Sequence, residues 1–169
     1  MNYWSKKMKR NLVCTLFGML CLSYAFFANA NESAATASVE QVAAKVSYTR
    51  LAMTADQQTY FVDAVTPYEL KDFAPPAGPI GVAMLQNAKS LIFTTLAGKW
   101  DGDWHPAPRN QYVFVLSGTV EVEVMSGEVR QFSCGDILLL EDTAGRGHDT
   151  RVVSEEAVRF AIVALPEAQ

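Results

Sequence analysis

Residues 103–118 read DWHPAPRNQYVFVLSG. The second half, QYVFVLS, is an apolar and aromatic run that ends at a Ser-Gly turn, which is a strand signal. The first half holds His105, one of only two histidines in the chain, ahead of Pro106, Pro108 and Arg109. Proline brings no amide donor to a ladder and pushes the residue before it toward extended geometry. His105 and Ala107 each precede a proline, so the spacing predicts a stiff, extended approach to the strand with limited pairing. That arrangement holds His105 at the mouth of whatever the strand encloses, with Gln111 farther in.

The same pattern continues on both sides. SYTRLAM, TYFVDAV, IGVAMLQ and SLIFTTL precede this stretch; TVEVEVM, EVRQF, DILLLE, DTRVVS and VRFAIVAL follow it. Pro75, Pro76, Gly78 and Pro79, the run Asn87-Ala88-Lys89, Ser126-Gly127, Cys134-Gly135 and the loop DTAGRG mark the turns between them. Many short strands at near-even spacing predict an all-β sandwich or barrel. TVEVEVM alternates, with Val120, Val122 and Val124 on one face and Thr119, Glu121 and Glu123 on the other, so one side faces water. QYVFVL and DILLL are apolar on both faces. One face suits a barrel interior; the other needs a second sheet, the N-terminal segment or a second subunit. A homodimer is expected on that ground.

From Trp104 to Val153 the order of events resembles the cupin family. The family's first motif sets His-x-His three or four residues before a Glu and, after six more residues, a Gly. Its second motif begins with Gly-Asp, runs through a strand to a Pro-x-Gly turn and carries a further His near the start of the next strand. Here His105 matches the first histidine, Gln111 falls at the Glu position and Gly118 at the Gly. Gly135-Asp136 matches the start of the second motif, Ile137 to Leu140 its strand and His148 its histidine. The resemblance implies a single-domain jelly-roll β-barrel. Ala107 stands where the second histidine is expected, Gln111 replaces the carboxylate and Glu141 replaces the proline. A second register, with Asp103 and His105 as the first pair, leaves one residue too many before Gln111.

The N-terminus reads differently. Residues 1–30 carry Lys6, Lys7, Lys9 and Arg10, then an apolar run, then Ala28-Asn29-Ala30, the pattern of a cleaved secretory signal peptide. Residues 31–45 form a small, polar leader with a helical turn or two expected near Val39 to Ala44, and residues 46–169 the barrel domain. A periplasmic or secreted protein with no membrane attachment after cleavage is expected. Removing four of the 14 basic residues leaves ten against 18 acids, a formal charge of −8. That balance argues against nucleic acid as a partner. Cys134 alone survives cleavage, so no internal disulfide is expected, and Ser133-Cys134-Gly135 reads as a turn.

If His105 and His148 converge, two imidazoles supply half of a transition-metal site. Gln111 offers a carbonyl oxygen, and Asp103 or Asp142 the anion. One divalent iron, manganese, nickel or zinc ion fits such a set. Without metal, a histidine oriented by Asp142 serves as acid or base. Arg109 suits an anionic ligand, and Trp104 or Trp100 a stacked ring. Arg151 lies three residues after His148, so it points away from it along a strand. The glycine loop lacks the Gly-Lys-Ser/Thr ending of a phosphate cradle, and neither Ser117 nor Ser126 has a nucleophile's context. Two readings stay open. One is an exported cupin that binds a small polar or anionic metabolite, either as a ligand or as the substrate of an isomerase, lyase or oxygenase. The other is a non-catalytic binding or dimeric interaction cupin with a degenerate metal site.

Overall fold

The computed structural model describes residues 45–83 and 86–167. The expected signal peptide and the helical turns near Val39 to Ala44 lie outside the described residues. Among the described residues every regular element is a strand, as the period-two patterning predicts. The chain runs β1 (Lys45–Met53), β2 (Thr59–Pro67), β3 (Glu69–Lys71), β4 (Ile80–Val82), β5 (Ser90–Leu96) and β6 (Gln111–Ser117). It continues with β7 (Thr119–Val124), β8 (Val129–Ser133), β9 (Ile137–Leu140), β10 (His148–Val152) and β11 (Val158–Ala164). IGVAMLQ is shorter than its pattern suggests, since β4 ends at Val82. The pattern also missed β3, whose three residues are all exposed and carry no alternation.

A six-stranded sheet has the order β2-β1-β9-β6-β11-β5, a three-stranded sheet the order β10-β7-β8, and β3 pairs with β4 alone. All pairings are antiparallel except β1 with β9, where Arg50 lies beside Leu139. The two larger sheets meet face to face across one core. Val113 and Val115 of β6, Leu138 and Leu140 of β9 and Phe160 of β11 come from one side; Val120, Val122 and Val124 of β7 come from the other. β7 behaves as its alternation requires, with its three valines buried and Thr119, Glu121 and Glu123 turned outward. The sheets are also tied at one end. Phe61 of β2 packs on Phe132 of β8 at 5.9 Å between ring centroids, and Arg130 lies over the Phe61 ring and pairs with Asp63.

The outer face of the large sheet is apolar, as the two-sided character of β6 and β9 implies. Leu91, Val163, Tyr112, Leu139, Arg50 and Val62 lie side by side across all six strands. Arg50 is the charge in that row, and Glu141 neutralises it through bonds of 2.8 and 3.0 Å. Cys134 is a free, exposed thiol in the β8–β9 turn.

Leu51 is fully buried where β1 meets β9. Leu51→Ala should destabilise the fold by about 2–5 kcal/mol in chemical denaturation. Val129→Ala, at an exposed position of β8, should stay within about 0.5 kcal/mol of the parent.

Candidate functional site

The stretch that opened the sequence reading forms a broken extra strand on the small sheet. Residues 100–105 run antiparallel along β10. The Val152 amide donates to the Trp100 carbonyl at 2.7 Å and the Gly102 amide to the Thr150 carbonyl at 3.1 Å. Isolated bridges join Asp101 to Arg151 and His105 to His148, with a register slip of one residue between them. At the second bridge each histidine amide donates to the other's carbonyl, at 2.9 and 3.0 Å. Pro106 then ends the ladder, because it has no donor to continue it. The Ala107 amide turns to the Asp142 carbonyl at 3.1 Å.

This approach is only possible beside a glycine. Gly147 has a φ of +77°, and a Cβ there would collide with the carbonyl of His105. The position therefore needs both the left-handed backbone and the missing side chain. Thr59, fully buried at the start of β2, locks the same loop from below. Its hydroxyl donates to the Gly147 carbonyl at 2.9 Å and accepts from the Met125 amide at 2.8 Å.

His105 and His148 face each other with ring centroids 4.8 Å apart and planes inclined at 51°. Both line a cavity of about 200 Å³ between the two sheets, which Gln111 and Thr150 line as well. Apart from these groups and Thr94, the walls are apolar, including Val122, Leu138, Phe160 and Trp100. His148 is buried, and its Nδ1 lies 2.6 Å from Oδ2 of Asp142, which is wholly buried. His105 is more exposed, and its Nδ1 lies 2.7 Å from the Asp103 carbonyl. Both partners accept, so each Nδ1 donates, which in a neutral imidazole leaves Nε2 as an acceptor.

The remaining predicted residues lie elsewhere. Asp103 contributes its backbone carbonyl to His105. Arg109 is exposed in the bend before β6 and does not line the cavity. Trp104 lies outside the cavity too, under the guanidinium of Arg146 at 4.2 Å from its ring centroid. Arg151 points away from His148, as expected. Its guanidinium bonds Glu121 at 2.7 Å and Glu123 at 2.8 Å, and these carboxylates, Glu123 foremost, hold it above its ordinary pKa.

Residues 92–164 match the family model described as the cupin domain. Over that segment the chain is similar to the cupin family. Among solved structures it is similar to the cupin domain of an XRE family transcriptional regulator from Enterobacter cloacae. The two share 25% identity over 46% of this chain and 81% of that one, with a TM-score of 0.34. It is also similar to the Schizosaccharomyces pombe Cnp3 cupin domain, at 13% identity over 72% of this chain and 88% of that one, with a TM-score of 0.35. The Drosophila melanogaster CENP-C cupin domain is 12% identical over 79% of this chain and 96% of that one, with a TM-score of 0.34. No curated protein matches the chain.

The cupin motifs imply a metal, and the donor set can be tested for it. Among the described residues no group of three His, Cys, Asp or Glu side chains is arranged to hold an ion. The Asp142 carboxylate is engaged with Nδ1 of His148, and Asp103 offers His105 a backbone oxygen rather than its side chain. Two imidazoles and the Gln111 amide give three donors, but the amide oxygen is a weak, uncharged ligand and the set contains no anion. These residues therefore do not fit a resident metal. Another departure from the motif has a structural account: Glu141, in place of the motif proline, forms the ion pair with Arg50.

Sequence reasoning missed Thr59, Thr150 and Gly147 as determinants of the site. Thr150 was legible in principle, being two residues after His148 on the same strand face. Thr59 acts on Gly147 across 88 residues, and no local pattern carries that. Gly127 has a similar φ of +82° but open space where a Cβ would go. Gly147→Ala should therefore cost clearly more than Gly127→Ala, by over about 1 kcal/mol. Urea denaturation reads the difference, and displaced imidazole NMR signals for His105 and His148 should accompany it in the first variant alone.

Proposed function

We propose that this chain is an exported cupin that binds a small molecule in the cavity between its sheets, with the sheets as the walls of a jelly-roll barrel. The observation that carries the reading is the convergence of two imidazoles on one half-open, mostly apolar cavity, each with Nδ1 engaged from behind. Concave apolar walls with a few convergent polar groups are the usual form of a ligand site. The basic, apolar and small-residue run of residues 1–30 supports export to the periplasm or beyond. A second reading, proton transfer next to a carbonyl, is favoured by the buried Asp142–His148 pair, because a carboxylate behind an imidazole fixes its tautomer and raises its basicity.

The apolar outer face of the large sheet supports the expected homodimer. Its row of residues crosses all six strands, and a second row places Phe93, Ala161, Phe114 and Ile137 side by side. Phe93 is 73% exposed. A two-fold interface needs a self-complementary patch, and an apolar one with its charge already paired meets that need.

Two measurements test these proposals. Thermal-shift screening against compact sugars, carboxylates and aromatic compounds should raise stability with ligand concentration, by about 2.7 kcal/mol at a hundredfold excess over Kd. A flat response across all three classes overturns the binding reading. In sedimentation the chain should run at twice its monomer mass, and Phe93→Glu should reduce this to the monomer without changing the β-type circular dichroism. A monomeric parent overturns the dimer.

A further inference from the structure

We infer that the ligand is a compact aromatic hydroxyl compound of the phenol type, whose O–H donates to the imidazole pair; this rests on the cavity-binding reading above. The argument starts from what the two rings present. Nδ1 of His105 donates to the Asp103 carbonyl and Nδ1 of His148 to the Asp142 carboxylate. In the neutral imidazoles the atoms left for a ligand are two acceptors, which a donating polar head satisfies.

The anionic metabolite expected from the sequence fits this site poorly. Among the described residues no Lys or Arg lines the cavity, and Arg109, its expected anchor, is exposed outside it. A carboxylate would meet two lone pairs, with the buried Asp142 behind one of them. Burying a charge without a partner is strongly unfavourable. A sugar fits little better. Each hydroxyl beyond those the polar groups can reach would be stripped of water against Val122, Leu138 and Phe160 with no partner in return.

A single hydroxyl satisfies what remains. It donates to an imidazole Nε2, and its oxygen can accept from the amide of Gln111, the cavity's side-chain amide donor. The apolar walls suit the rest of the molecule, and Phe160 and Trp100 provide aromatic surface for a ring. Size points the same way. A dry apolar cavity of about 150 Å³ takes up benzene, so about 200 Å³ holds one substituted ring.

The test is titration calorimetry of the purified full chain with phenol, toluene and benzoate, with ¹⁵N NMR of the histidine side chains in parallel. Phenol should bind at least about tenfold more tightly than toluene, the size of one good hydrogen bond. It should shift a histidine Nε2 resonance, and benzoate should bind more weakly than either. Toluene binding as tightly as phenol overturns the hydroxyl class and leaves the cavity reading standing. Benzoate binding most tightly overturns it in favour of an anion, again with the cavity intact. If none of the three binds, the phenol inference fails, and the cavity reading is then decided by the sugar arm of the thermal-shift screen. The NMR arm uses unaltered protein, so the outcome does not depend on a histidine variant that folds.

Discussion

The site depends on a single two-residue bridge. His105 and His148 are 43 positions apart, yet their backbones exchange both hydrogen bonds. That exchange brings the segment before β6 onto the free edge of β10 and sets two rings at one cavity wall. It is also sharply delimited. Pro106 has no donor to extend it on one side, and Gly147 makes room for it on the other. A longer ladder would have to use amides that the two prolines lack. The backbone bridge sets the two histidines side by side, and the Thr59 and Asp142 side chains hold the loop and the His148 ring.

Around the bridge, polar groups that would be costly to bury are paired almost throughout. The Thr59 hydroxyl both donates and accepts, and His148 uses Nδ1 on Asp142. Among the described residues the exceptions there are Oδ1 of Asp142 and Oδ1 of Asp149, which are buried without a hydrogen-bond partner. Asp142 holds the His148 ring through its other oxygen, Oδ2. The two histidines are therefore unequal, with His148 backed by a carboxylate and His105 by a carbonyl.

Much of the strand framework was legible because burial imposes period two on any strand with one wet face. β5 and β6 match their predicted runs from end to end, and β7 shows the alternation its valines and glutamates announced. The failures have physical causes. β3 has no buried face and so no pattern. IGVAMLQ is apolar throughout, and an apolar run does not state where pairing stops. Among the candidate site residues, His105, His148 and Gln111 were named from their match to the cupin motifs, and all three line the cavity. Arg109 was assigned to the cavity from proximity in sequence, but the bend before β6 carries it to the surface.

What the sequence determined by itself was the class of fold, the position of most strands, and the outward direction of Arg151. Each follows from local rules: alternation along a strand, the missing donor of proline, and the turns that glycine permits. What only the tertiary structure decided was the chemistry of the cavity. Whether Nδ1 of His148 meets a carboxylate, whether Asp103 offers its side chain or its carbonyl, and whether any cation reaches the walls depend on groups brought together from distant strands. A one-residue slip in register reverses which face a side chain occupies. Composition and spacing therefore name the histidines, and only the packed sheets determine what those histidines can bind.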